Sequence, residues 1–278
     1  MLLDTHCHLD AAEFDSDRQQ VIERAQAARV RGILIPAVEV SNFDTVRTLA
    51  HTFSQGAYAL GIHPMYVQNA GEDALMQLRH ALDQHIHDPR LIAVGEIGLD
   101  FFVPDISSGP PRDKQFKFFE AQLQIAKEFN LPVLLHVRRS QDEILKYLRK
   151  VKVIGGIAHA FNGSFQQAEQ FIELGFKLGF GGAATYERAL QIRRLIKELP
   201  LESIVTETDA PDIPPVWLKE ENLAFNEPAF LPRIAKELAA IRGVNDSEFA
   251  SAVWRNAIQV LPRWSALCAD NPNLNSAS

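Results

Sequence analysis

Only two cysteines, Cys7 and Cys268, occur among the 278 residues, and they stand at opposite ends of the chain. That is no disulfide framework, and it agrees with a reducing compartment. No apolar run is long enough to span a bilayer, and the opening residues lack a charged segment followed by an apolar stretch and a cleavage site. A cytoplasmic location without membrane attachment is therefore expected. Positive charge is also scarce: 28 Lys and Arg against 35 Asp and Glu leave a net charge of -7. Broad coating of DNA depends on many Lys and Arg contacts to phosphate, so that mode is disfavoured and any nucleic-acid chemistry has to be local. No short-period repeat or low-complexity block appears. An apolar share of 46% with 23% charged residues belongs to a globular protein with a full core.

What the chain does contain is a coarse rhythm of short β-rich runs and longer amphipathic segments. The runs are LLDTHCHL, GILIPAV, AYALGIHP, LIAVGEIGLD, LPVLLHVR, GGIAHAF, FKLGFGG and SIVTETDAP. Between them, apolar residues recur at helical spacing; Phe116, Phe119, Leu123 and Ala126 do so over a predicted helix at 113–129. Leu131-Pro132 and Leu199-Pro200 mark helix ends, because the residue before proline is pushed out of the helical region. Eight mostly continuous apolar strands alternating with helices predict an α/β fold, a parallel (β/α)8 TIM barrel. A doubly wound open sheet is the alternative, but it would gather polar residues at one switch point, whereas here they close strand after strand. One catalytic domain is expected over 1–264, including a last helix near 246–261, with 265–278 as a disordered tail. Two longer loops, FFVPDISSGPPR after the fourth strand and DIPPVWLKEENLAFNEP after the eighth, lie on the prospective active face.

The opening DTHCHLD places His6 and His8 one residue apart, so strand alternation turns both to one face and Cys7 to the other, toward the helices. A lone His-x-His is a weak signal. Its company strengthens it: Glu96, His136, His159 and Asp209 each close an apolar run of their own. A carboxylate or imidazole there is costly to desolvate unless it is paired or bound to metal. Nitrogen and oxygen donors without thiolate suit zinc, manganese or magnesium, and six donors exceed what one four-coordinate ion needs. Two divalent ions are therefore expected.

The motifs DTHCHLD, GIHP, VGEIGLD, LPVLLHVR, HAFNG, TETDAP and the late NEP resemble, in order over about residues 1–260, the TatD family of metal-dependent deoxyribonucleases within the amidohydrolase-like barrels, and most of all its YjjV-type branch. The resemblance implies that His6, His8, Glu96, His136, His159 and Asp209 stand where the family binds its metals. It also implies phosphodiester hydrolysis in DNA, exonuclease-like on single strands, by a metal-activated water. Hydrolysis of other esters or amides, such as aminoacyl-tRNA, is the alternative. On this reading Glu96 bridges the ions, His6 and His8 hold one and His136 and His159 the other, and Asp209 also serves as base. Glu207, two residues earlier, is expected to hydrogen-bond a ligand histidine rather than ligate. His63 either contacts the scissile phosphate or is a buried, hydrogen-bonded histidine. Arg138 and Arg139 follow His136, where a guanidinium fork can clamp phosphate, or they form helix-start salt bridges. Asn162, with Gly163, ends in a turn and could reach substrate. Phe101, Phe102 and Trp217 stack bases or pack their loops onto the barrel. His51, His80, His85 and His87 read as surface residues. DNA or another phosphodiester is the expected partner, with a monomer as the simplest state. One departure from the family pattern is Leu261-Pro262, where an aromatic residue is expected, which leaves the carboxyl-terminal packing open.

Overall fold

The computed structural model describes residues 1–269. Its strands are β1 (Leu2–Asp4), β2 (Val30–Pro36), β3 (Gly56–Leu60), β4 (Leu91–Asp100), β5 (Val133–Arg138), β6 (Gly156–Ala158), β7 (Phe176–Phe180) and β8 (Ile204–Thr206). Its helices are α1 (Arg18–Ala27), α2 (Phe43–Ala50), α3 (Ala74–His85), α4 (Gly109–Glu128), α5 (Gln141–Lys150), α6 (Phe165–Glu173), α7 (Leu190–Glu198), α8 (Val216–Glu220), α9 (Leu231–Arg242), α10 (Asp246–Val260) and α11 (Pro262–Ala269). All neighbouring strands pair in parallel in chain order from β1 to β8. The ring is drawn together by Thr5 N–H donating to the Thr206 carbonyl at 3.2 Å and Asp209 N–H donating to the His6 carbonyl at 2.8 Å. This is the expected barrel, and each strand overlaps one of the eight apolar runs, β2 and β3 starting shortly before theirs. Among the described residues no helix is long and apolar enough to cross a membrane.

The barrel interior is filled from its amino-terminal end. Leu3, Leu34, Ile92, Leu134, Ile157 and Val205 meet the small Ala57, Ala59 and Ala93, and Trp264 of α11 packs into the same cluster. Trp264 is wholly buried, and its Nε1–H donates to the Gln55 carbonyl at 3.2 Å. The aromatic residue missing at 261–262 is thus supplied at 264, and α11 carries the folded chain to Ala269, past the boundary expected at 264. The remainder of the expected tail, 270–278, lies outside the described residues.

Two boundaries differ from the sequence reading for identifiable reasons. α4 begins at Gly109 rather than 113, because Pro110 and Pro111 occupy its first turn, where the backbone N–H groups have no helical partner to lose. β1 ends at Asp4, so His6 and His8 follow the strand instead of lying in it. Cys7 is nevertheless buried on the side away from them, its thiol against the Ala210 carbonyl.

Candidate active site

The carboxyl ends of the strands converge on Glu96, which is buried in the middle of β4. Its two oxygens face different groups. Oε2 lies 3.1 Å from His6 Nε2 and 3.4 Å from His8 Nε2. Oε1 lies 3.0 Å from His136 Nδ1, 2.9 Å from His159 Nε2 and 3.4 Å from His63 Nε2. Asp209 completes the first group, its Oδ1 standing 3.6 Å from His6 Nε2 and 3.7 Å from His8 Nε2. All six residues expected to gather here do gather, and His63 joins them. Close backbone approach makes this possible: a Cβ on Gly98 would collide with the His136 carbonyl oxygen, so glycine lets β4 and β5 approach closely beside the site.

The charges are strongly coupled. Burial alone would raise the Glu96 pKa, but the imidazoles of His63, His159 and His6 outweigh it and hold the carboxylate well below its ordinary range. Burial and the neighbouring His159 push His6 down to about 3, and burial pushes His63 down to about 4. For His8 and His159 burial is overcome by Glu96, and the two are raised to about 9 and about 10. Burial raises Asp209.

The donor set fits a divalent cation. Four ligands held tetrahedrally at about 2.1 Å stand about 3.4 Å apart. His6 Nε2, His8 Nε2 and Asp209 Oδ1 form one such set, 3.4 to 3.7 Å apart, and Glu96 Oε2 lies 3.1 and 3.4 Å from the same two imidazole nitrogens. The Nδ1 atoms of His6 and His159 are buried with no hydrogen-bond partner among the described residues, which leaves their Nε2 atoms as the working ends. His63 is different. Its Nδ1 accepts from Met65 N–H at 3.2 Å, so in the neutral ring Nε2 carries the proton and has no lone pair for a metal.

Two carboxylates that the sequence reading passed over hold this arrangement. Asp100 is fully buried; its Oδ2 accepts from His136 Nε2–H at 3.1 Å, turning the Nδ1 lone pair toward Glu96, while Oδ1 accepts from the N–H groups of Phe102 and Val103. Asp4 accepts from His6 N–H and Thr208 N–H and from the Thr208 hydroxyl at 2.6 Å, tying the histidine pair to the segment that carries Asp209. Parity was the available signal, since Asp100 lies four residues from Glu96 and Asp4 two from His6. The NEP motif also finds its use. Asn226 Nδ2–H donates to the carbonyls of Thr208 and Asp212, and Glu227 pairs with Arg24 at 2.6 Å, bracketing the loop after β8 against α1.

The other expected residues divide. Glu207 is buried and pushed by burial to about 8; its Oε1 accepts from Ala160 N–H and stays 3.9 Å from His159 Nδ1, too far for the expected hydrogen bond. Arg138 and Arg139 reach the mouth of the barrel. Asn162 is exposed. Trp217 is buried beneath Arg233 and Phe101 is stacked by Arg112, so both pack loops, whereas Phe102 is exposed.

The family model described as TatD related DNase matches residues 3–262. The chain belongs to the TatD family. A metal-dependent hydrolase of uncharacterised function from Haemophilus influenzae is 38% identical over 261 residues, covering 92% of this chain and 98% of that one. The crystal structure of YjjV, a TatD homologue from Escherichia coli, superposes with a TM-score of 0.87 at 37% identity, covering 94% of this chain and 98% of that one. A Klebsiella pneumoniae relative named 3'-5' ssDNA/RNA exonuclease TatD is 31% identical over 246 residues, 87% of this chain and 90% of its own length. The TatD-family match thus spans the barrel and every residue of the cluster.

Proposed function

We propose that this TatD-family chain is a hydrolase dependent on two divalent ions, cleaving phosphodiester bonds in single-stranded DNA in an exonuclease-like manner. The observation that carries the reading is Glu96, whose two oxygens face separate sets of imidazole nitrogens at 2.9–3.4 Å. The names of the Haemophilus and Klebsiella relatives support a metal-dependent hydrolase and a nucleic-acid substrate. His6, His8, Asp209 and Glu96 Oε2 would hold one ion; His136, His159 and Glu96 Oε1 would hold the other. When bound, zinc, manganese or magnesium acidifies water and offsets charge on phosphoryl oxygens.

The remaining work falls to the chain. Asp209, raised by burial, accepts the proton of the attacking water. His63 presents Nε2–H, fixed by the Met65 amide, to an oxygen of the phosphate or to the leaving group. Asp100 keeps His136 in the tautomer that faces Glu96. Arg138 contacts substrate phosphate.

Chelator-treated protein should stop hydrolysing single-stranded DNA and bis(p-nitrophenyl) phosphate, regain both activities when Zn, Mn or Mg is restored, and carry about two ions per chain by elemental analysis. Cleavage that survives complete metal removal would refute the reading. Turnover of carboxylic esters alone would move the substrate class away from phosphodiesters.

A further inference from the structure

Two guanidinium groups stand together at the mouth of the barrel without a hydrogen-bond acceptor among the described residues. Arg138 closes β5 two residues after His136, so strand alternation carries it to the face of the site. Its Nη1 lies 3.8 Å from Asp100 Oδ2, the oxygen that already receives the His136 proton. That distance is too long for a hydrogen bond, so Arg138 is not what holds Asp100. Arg139 follows in a left-handed turn with φ 57°, which returns its side chain toward the same neighbour. That neighbour is Phe102, 44% exposed, whose ring centre lies 3.8 Å from the Arg138 guanidinium carbon and 4.7 Å from that of Arg139. Among the described residues, neither guanidinium makes a hydrogen bond. Arg18, Arg90, Arg242 and Arg263, by contrast, donate to backbone carbonyls, and Arg24 donates to Glu227 and Asp17.

Adjacent cations repel, and the aromatic face only partly offsets this. A ring that restrains two free forks beside the catalytic cluster prepares them for a dianionic or polyanionic ligand. The reacting phosphate belongs at Glu96 and Asp209, whereas the carboxylate that this pair stands beside is Asp100, 3.8 Å from Arg138 Nη1. We propose that Arg138 and Arg139, seated on Phe102, bind a second phosphate of the substrate, the one adjoining the bond that is cleaved. This rests on the phosphodiesterase reading and sharpens it: the enzyme selects oligonucleotides over isolated phosphodiesters.

The test uses the metal-loaded enzyme, a thymidine dinucleotide with and without a 5′-phosphate, and bis(p-nitrophenyl) phosphate. The wild type prefers the dinucleotide with two phosphates. In the Arg138→Ala/Arg139→Ala variant the ratio of kcat/KM between the two dinucleotides should fall about 10- to 100-fold, mainly through KM. On oligothymidylate the slope of log(kcat/KM) against log salt should become shallower by about 0.7 for the lost phosphate contact. Arg138→Lys/Arg139→Lys, which keeps the charge without the fork, should recover part of the ratio. An unchanged ratio, or equal loss on one- and two-phosphate substrates, overturns the second-phosphate site while leaving phosphodiester hydrolysis in place. If the wild type cleaves none of the three, the phosphodiesterase reading fails, and this site falls with it.

Discussion

A buried carboxylate ringed by imidazoles persists in a barrel only if something settles the competition among their lone pairs and protons. Partners outside the cluster do this for two of the histidines: the Met65 amide fixes the His63 proton on Nε2, and Asp100 fixes the His136 proton on its outer nitrogen. One ring is thereby a donor and the other a proposed ligand, although the residue type is the same. An Asn at position 100 can offer its amide N–H to His136 and favour the opposite tautomer. Asp100→Asn should therefore weaken Zn or Mn binding about 10- to 100-fold by isothermal titration while the far-ultraviolet circular dichroism stays unchanged. Unaltered affinity would mean that Asp100 does not orient the ring.

Elements position what residues then use. α4 sends two buried glutamines back into the barrel mouth. Gln122 accepts from Ile62 N–H at 2.7 Å and donates to its carbonyl at 3.0 Å, one residue before His63; Gln115 does the same for Asp100. A side-chain amide reproduces the paired donor and acceptor of a neighbouring strand, satisfying backbone at the end of β4 and just past the end of β3. Gln122→Leu would strand both Ile62 groups in an apolar environment. Its expected cost is about 2–4 kcal/mol in urea unfolding, with the m-value unchanged. A cost below the scatter of such measurements would show that the Ile62 groups find other partners.

For the whole molecule, the barrel is closed at one end and active at the other. Trp264 fills the amino-terminal end against Ala57, Ala59 and Ala93, and the proposed ligands occupy the opposite mouth. Stability and function are therefore separable along the barrel axis. Trp264→Ala should cost about 3–5 kcal/mol in denaturant unfolding and leave metal stoichiometry at its wild-type value. Loss of metal in the still folded variant would show that the plug and the site are coupled.

The strand count, the barrel and the six clustered donors were legible along the chain, because a strand buried on both faces reads as an unbroken apolar run and a charged or imidazole group closing it stands out. Asp4 and Asp100 shared the parity of their neighbours, yet parity does not say which aspartate accepts a proton and which stays solvated. Glu207 looked like a partner for a histidine and instead receives the Ala160 amide. Trp217 and Phe102 were equivalent loop aromatics until packing buried one and exposed the other. The sequence by itself determined which residues line up at the strand ends, since local hydrophobic period and residue type suffice for that. Only the tertiary structure decided which nitrogen of each histidine faces Glu96, and which guanidinium groups remain free, because those depend on hydrogen-bond partners that lie far away along the chain.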